Sequence, residues 1–332
     1  MRLSVLATHI PADRISTEDI VAAADGSVAE ARVFRRMFGV DHVAAMPEDQ
    51  TLSDQFERIV IGLEAEHDGT LPDALIYVRG QPVQYPRGQS PVARLAQEHP
   101  FLRGVMRQYE VDQHNCGGLF WALDLARTLL ASGLARAVAI LGGDCHAGLP
   151  LGDRYVPGCT LMGDAFCGMV VDLEAQGDQV APVTLRTHPE FARGRSGTAA
   201  EMGAFFAAHT RIVSEALCDA GFDWAGKDTL LPHNVNRLAW QDFCRQSGIE
   251  TDRIRLSLLP DIGHCYICDP FLLLAQERLQ GPTAHAQPTL ISVGMGGYVG
   301  ACKVTCAAAP TPLSRSHITQ KESAPCTQLA PC

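Results

Sequence analysis

The run Val111-Asp112-Gln113-His114-Asn115-Cys116-Gly117-Gly118 leads straight into the apolar stretch Leu119–Leu130. It reads as a strand, a glycine-assisted turn and a helix, with a thiol at the junction. A cysteine at a helix N-terminus faces unpaired N–H groups and the positive end of the helix dipole. Both favour the thiolate, which is the nucleophile. An inert, buried cysteine is the bland alternative at such a position. If Cys116 is reactive, it turns an otherwise generic α/β chain into a candidate acyl-transfer enzyme.

Around this junction the chain alternates strands and helices. Strands are expected at Leu3–Thr8, Ala74–Val78, Tyr109–Gln113, Ala137–Leu141 and Cys167–Leu173. Ala74–Val78 and Ala137–Leu141 are apolar throughout, as in strands covered on both faces. Helices fit at Gln55–Glu66, Val92–Glu98 and Gly117–Ser132. The second part repeats the rhythm with strands Val183–Arg186, Thr229–Leu231, Thr289–Val293 and Val299–Cys306. Its helices are Thr198–Ala220, Asn234–Ser247 and Asp269–Leu279. In each half a strand delivers a side chain to the head of a helix: Cys116 first, His233 second. The expected division is 1–175, 176–307, and a Pro-, Ser- and Thr-rich tail over 308–332.

Composition narrows the function. The chain has 332 residues, enough for two fused α/β units, and a formal net charge of −10. That balance argues against a nucleic-acid binder, which needs clustered Lys and Arg. The opening Met1–Ala7 lacks the length and cleavage site of a signal peptide, and no apolar run reaches a membrane-span length. A cytoplasmic protein is the expectation, with most of the 12 cysteines reduced and buried.

Three further segments carry polar side chains in telling positions. Leu231-Pro232-His233-Asn234-Val235-Asn236 is a strand end opening a helix. Asp261-Ile262-Gly263-His264-Cys265-Tyr266-Ile267-Cys268-Asp269-Pro270 precedes another. Ser292-Val293-Gly294-Met295-Gly296-Gly297-Tyr298-Val299-Gly300 is a glycine-rich turn. It does not fit a dinucleotide fingerprint at a first βα unit. Cys265 and Cys268 have metal spacing but no second pair nearby, so two packed thiols are expected.

Together these segments resemble 3-oxoacyl-ACP synthase III (ketoacyl synthase III) of the thiolase superfamily, from Leu3 to about Cys306. Leu6-Ala7-Thr8-His9-Ile10-Pro11 resembles the opening strand and loop. Phe38-Gly39-Val40 with Asp49-Gln50-Thr51 resembles the substrate entry, and Met162-Gly163-Asp164-Ala165 the Gly-Asp-Gly segment. Pro232-His233-x-x-Asn236 is the most specific match. The resemblance implies an α/β thiolase-like fold: two similar halves, five αβαβα layers, a homodimer. It implies Cys116 as nucleophile, His233 and His264 as its catalytic partners, and the backbone of Cys116 and Gly296 as oxyanion hole. Asn236 would support the site, and Asp269 would orient His264. Tyr85 and Trp121 would border the acyl pocket; Arg237 and Arg245 would meet an acidic carrier protein.

The implied activity is transfer of an acyl group from a carrier-protein or CoA thioester to Cys116. Decarboxylative condensation with a malonyl thioester then gives a 3-oxoacyl product in polyketide- or fatty-acid-like biosynthesis. No metal or redox cofactor is needed. The family's usual Gly-Asn is Gly263-His264 here, and its Trp-Arg adenine clamp is reduced to Val33-Phe34-Arg35-Arg36. These departures point to a specialised pathway. They leave open acyl transfer to an oxygen or nitrogen nucleophile, and a non-catalytic subunit of a heterodimer.

Overall fold

A computed structural model of the chain describes residues 1–81, 90–226, 228–280 and 287–307. Tyr85 and the segment 308–332 lie outside the described residues. Ten strands form one sheet. Its order runs 230–232, 289–294, 298–305, 178–180, 2–9, 165–172, 137–144, 74–78, 107–111, with 184–187 also pairing 298–305. Ala74–Val78 runs parallel to both its neighbours, Arg107–Val111 and Ala137–Asp144, and Leu230–Pro232 runs parallel to Thr289–Gly294; the other pairs are antiparallel. Every residue of Ala74–Val78 and Ala137–Asp144 is buried, as their unbroken apolar runs require.

The short strand Asp178–Val180 joins the two halves, pairing with Arg2–His9 on one side and Tyr298–Thr305 on the other. It was not expected from the sequence, because three residues carry too little period-2 pattern to stand out.

Helices Gly118–Ala131 and Asp269–Gln280 occupy the middle layer. Their apolar faces, including Leu119, Leu123, Phe271 and Leu274, share one core with Ile76 and Ile140 from one half-sheet and Leu290 and Val304 from the other. Helix Leu52–Glu66 covers the outside of the first half-sheet, packing Phe56, Ile59 and Leu63. Helices Ala199–Asp219 and Arg237–Ser247 cover the second, packing Ile212, Val213, Trp240 and Phe243. The result is the thiolase-like αβαβα architecture. Capping boxes Thr51/Asp54 and Ser27/Glu30 set two helix starts where the sequence changes from polar to amphipathic. Among the described residues no helix is long and apolar enough to cross a membrane.

Three local expectations change. The strand before the nucleophile is Arg107–Val111, not Tyr109–Gln113, because Gln113 and Asn115 take positive φ and end the extended run. Helix Arg237–Ser247 begins three residues later than its expected Asn234 start. Asn236, extended and with its side chain accepting from Ala239 N at 2.7 Å, is the N-cap. His233 therefore sits in a loop several residues before the helix rather than directly at its head. An unexpected ribbon pairs Asp13–Ser16 with His42–Ala45.

Candidate active site

Cys116 lies in a 3-10 turn, Asn115–Gly117, that feeds helix Gly118–Ala131. Close packing fixes this turn. A Cβ on Gly118 would come 3.0 Å from the Val78 side chain, and one on Gly294 would come 3.1 Å from Cys116 N. Glycines at these two positions let the helix start and the strand Thr289–Gly294 approach the nucleophile.

The sulfur has a direct partner. Cys116 Sγ lies 3.1 Å from His264 Nε2, and His264 Nδ1 lies 2.5 Å from Asp269 Oδ2. Asp269 is fully buried and held by two backbone donors, Asn234 N at 2.7 Å and Cys265 N at 2.8 Å. Its carboxylate thus ties the loop after Pro232 to the turn carrying His264. Burial alone would lower the proton affinity of His264. Cys116 and Asp269 outweigh that burial and raise its pKa to about 10. The site holds the His264 ring between the buried Asp269 carboxylate and the Cys116 sulfur.

His233 behaves differently. Burial, with His209 and His264 nearby, holds its pKa well below the ordinary value, so the ring is neutral. Its Nδ1 is buried without a hydrogen-bond partner. The Trp240 indole N–H donates to its backbone carbonyl at 3.1 Å, and its ring centroid lies 6.0 Å from that of His264. Both imidazoles line a cavity of about 1530 Å³ that opens from Cys116. Cys116 alternates there with apolar groups such as Phe205, Met162 and Val293, a mixture suited to an acyl chain with a polar reacting end.

The other expected residues scatter. Gly296 lines the cavity with φ of +106°. Asn236 lines it too, donating to Cys159 O at 2.8 Å while capping its helix. Trp121 does not border the cavity. Its indole stacks on His114, with ring centroids 4.7 Å apart, and meets the edge of Tyr298. The helix rotation that buries Phe120 in the middle layer turns Trp121 away from the acyl side. Arg237 donates to Arg36 O at 2.8 Å, outside the cavity, whereas exposed Arg245 stands at its rim, paired with Asp242. Cys265 and Cys268 are packed thiols: Cys268 Sγ contacts Cys167 Sγ at 3.7 Å and burial pushes both upward.

Sequence reasoning missed a buried polar network behind the site. Arg154 and His146 both reach Asp164, at 2.8 and 3.2 Å. Burial acts to raise the Asp164 pKa, but Arg154 and His146 overcome it and hold it near about 2. His146 Nε2 meets Tyr266 Oη at 3.2 Å, and the Tyr266 ring stacks on His264 at 5.5 Å. Asp144 accepts from Gly80 N and Gln81 N, and burial pushes it up to about 6. Asp164 lies in the Gly163-Asp164 segment; His146 and Tyr266 carried no signal beyond their residue type.

Thiol, imidazole, carboxylate and glycine-rich turn on this fold fit a thiolase-like enzyme of the acyltransferase type, working on acyl thioesters. Within that class the chain is similar to ketoacyl synthases III. It is 22% identical over 317 residues to the beta-ketoacyl-[acyl-carrier-protein] synthase III of Neisseria meningitidis serogroup C, covering 89% of this chain and 95% of that one. The serogroup A protein is 24% identical over 319 residues with the same coverage. Among solved structures, the synthase III (FabH) of Thermus thermophilus superposes with a TM-score of 0.75 at 20% identity, covering 93% of this chain and 100% of the other. An acyltransferase, ChlB3, gives 0.75 at 18% identity, covering 92% and 98%. Cerulenin-bound OleA from Xanthomonas campestris gives 0.75 at 14%, also covering 92% and 98%. No protein-family profile matches the chain.

Proposed function

We propose that the chain takes an acyl group from a phosphopantetheine thioester onto Cys116 and passes it to an oxygen or nitrogen nucleophile. The carrying observation is the line Cys116 Sγ, His264 Nε2, His264 Nδ1, Asp269 Oδ2. The thiolate attacks the thioester carbonyl carbon and forms a new C–S bond. The oxyanion collapses, the donor C–S bond breaks, and the departing thiol takes the Nε2 proton of His264. Because Asp269 keeps a proton on Nδ1, neutral His264 now offers a lone pair at Nε2. That lone pair accepts a proton from the incoming hydroxyl or amine as its heteroatom bonds the acyl carbon. The Cys116 thiolate leaves, and the imidazolium–thiolate pair is restored.

The second reading keeps the acyl-enzyme and discharges it by decarboxylative condensation with a malonyl thioester. It is favoured by the two imidazoles on one cavity wall, the groups that would bind the malonyl carbonyl. Proton placement weighs against it. A lone pair at His264 Nε2 repels a carbonyl oxygen, leaving His233 as the one imidazole donor. A carrier-protein thioester is supported by the relatives, which are beta-ketoacyl-[acyl-carrier-protein] synthases, and Arg245 at the rim suits an acidic carrier; CoA carries the same phosphopantetheine arm. A cytoplasmic homodimer in a specialised pathway completes the reading.

Intact mass decides. The protein is incubated with acyl-CoA or acyl-carrier protein, then with malonyl-carrier protein, or with an amine or alcohol. An adduct on Cys116 discharged by the heteroatom nucleophile is expected. Discharge by the malonyl thioester alone, with loss of CO2, favours condensation. Absence of any adduct, or activity surviving Cys116→Ala, refutes both readings.

A further inference from the structure

Asn115 has φ of +50°, a left-handed conformation that Asn tolerates better than most residues. Conformation alone would be served by glycine. The side chain does something more. Asn115 Oδ1 accepts from the Cys116 backbone N–H and from the Cys116 Sγ thiol, each at 3.0 Å. The oxygen must face this N–H, because the flipped amide would set donor against donor.

A thioester carbonyl under attack by Cys116 meets the same two constraints. Its carbon bonds the sulfur, so its oxygen lies within about 3 Å of Sγ, and it takes a hydrogen bond from the Cys116 N–H. Asn115 Oδ1 satisfies both without a substrate. The turn cannot retreat, since a Cβ on Gly294 would already lie 2.9 Å from Asn115 Cβ. Asn115 is half-buried and lines the cavity, so its side chain has room to rotate into that space.

We propose that Asn115 gates acylation: its carboxamide fills the oxyanion position of the free enzyme and rotates out before a thioester reacts. The inference rests on the acyl-thioester reading above. Every thioester meets the same cost, because the reactive conformation is a fraction of the resting population. An electrophile that builds no oxyanion escapes it.

The test compares two reagents on the full chain. Acyl-CoA acylates Cys116 through an oxyanion; iodoacetamide alkylates it without one. Asn115→Gly keeps the left-handed backbone and removes the carboxamide. Its second-order acylation rate, from single-turnover intact mass, should rise about fivefold, the weight of one net hydrogen bond, while alkylation changes by less than about twofold. Asn115→Asp keeps the volume and binds the N–H more strongly, and should slow acylation about tenfold. Unchanged or slower acylation in Asn115→Gly overturns the gate, as does a parallel rise in both rates. Wild-type acylation by Asn115→Asp does the same if the glycine variant does not fold. Failure of the wild type to acylate, with alkylation intact, refutes the acyl-transfer reading itself, whereas equal adduct rates in wild type and variants refute the gate alone.

Discussion

His264 Nδ1 and Asp269 Oδ2 lie 2.5 Å apart, five positions along the chain, at a site where the histidine is 4% exposed and the carboxylate not at all. A buried carboxylate on Nδ1 fixes which nitrogen of His264 faces the thiol. Where the resemblance expects an amide donor, the chain thus sets an imidazole of fixed orientation 3.1 Å from the Cys116 sulfur.

Removing the charge and keeping the shape should therefore cost chemistry more than fold. Asp269→Asn is expected to slow Cys116 acylation by about 10³- to 10⁴-fold, the scale seen when a triad carboxylate becomes an amide. Thiol release in a single turnover measures it. A loss under about tenfold would show that His264 needs no orienting partner.

The pH profile of thiol alkylation follows from the raised pKa of His264, about 10. Below that value His264 keeps its positive charge 3.1 Å from the sulfur, which favours the thiolate, so wild-type alkylation by iodoacetamide should vary less between about pH 7 and 9 than that of a protein lacking the charge. In His264→Asn the counter-charge is gone. The rate should climb about tenfold per pH unit until an ordinary thiol titrates near about 8.5. Parallel profiles in the two proteins would contradict the pairing.

Gly294→Ala probes the strand that presses on the nucleophile turn. The added Cβ meets Asn115 Cβ and His114 O, both at 2.9 Å, and Cys116 N at 3.1 Å. A displacement of these atoms by under an ångström is expected to lower acylation about 10²-fold. The thermal midpoint should fall by only a few degrees, since overpacking of one methyl costs about 1–3 kcal/mol. Paired kinetics and calorimetry check the split.

Asp164→Asn removes one side of the buried Arg154 pair. It should destabilise the fold by about 3–5 kcal/mol, because Arg154 is left charged, buried and unmatched. The folded-state pKa of Asp164 is depressed to about 2. Its contribution is thus complete above about pH 4 and lost as the pH falls through about 2. Denaturant titrations of both proteins at several acidic pH values should converge at the lowest. A constant gap would refute the assignment.

Much of the architecture was legible. The apolar runs Ala74–Val78 and Ala137–Leu141 could only be strands covered on both faces, and the long amphipathic segment around Ala199–Asp219 could only be a surface helix. Cys116, His233 and His264 were legible as candidates because each stands at an interruption of such a pattern. Element boundaries near the site were not. Positive φ at Gln113 and Asn115 and the cap at Asn236 depend on neighbours that arrive from distant strands.

What the sequence determined, then, is local: which segments are extended or helical, which faces are apolar, and where thiol and imidazoles interrupt them. Backbone sterics and hydrophobic period act over a few residues and can be read in one dimension. Which imidazole touches the thiol was decided only in three dimensions. Asp269, drawn inward by the N–H groups of Asn234 and Cys265, holds His264 against Cys116 and leaves His233 neutral with Nδ1 unpaired. The same packing turned Trp121 onto His114 and set the Asn115 carboxamide on the Cys116 N–H. Such choices follow from burial, because a buried charge or N–H must find its partner wherever the fold places one.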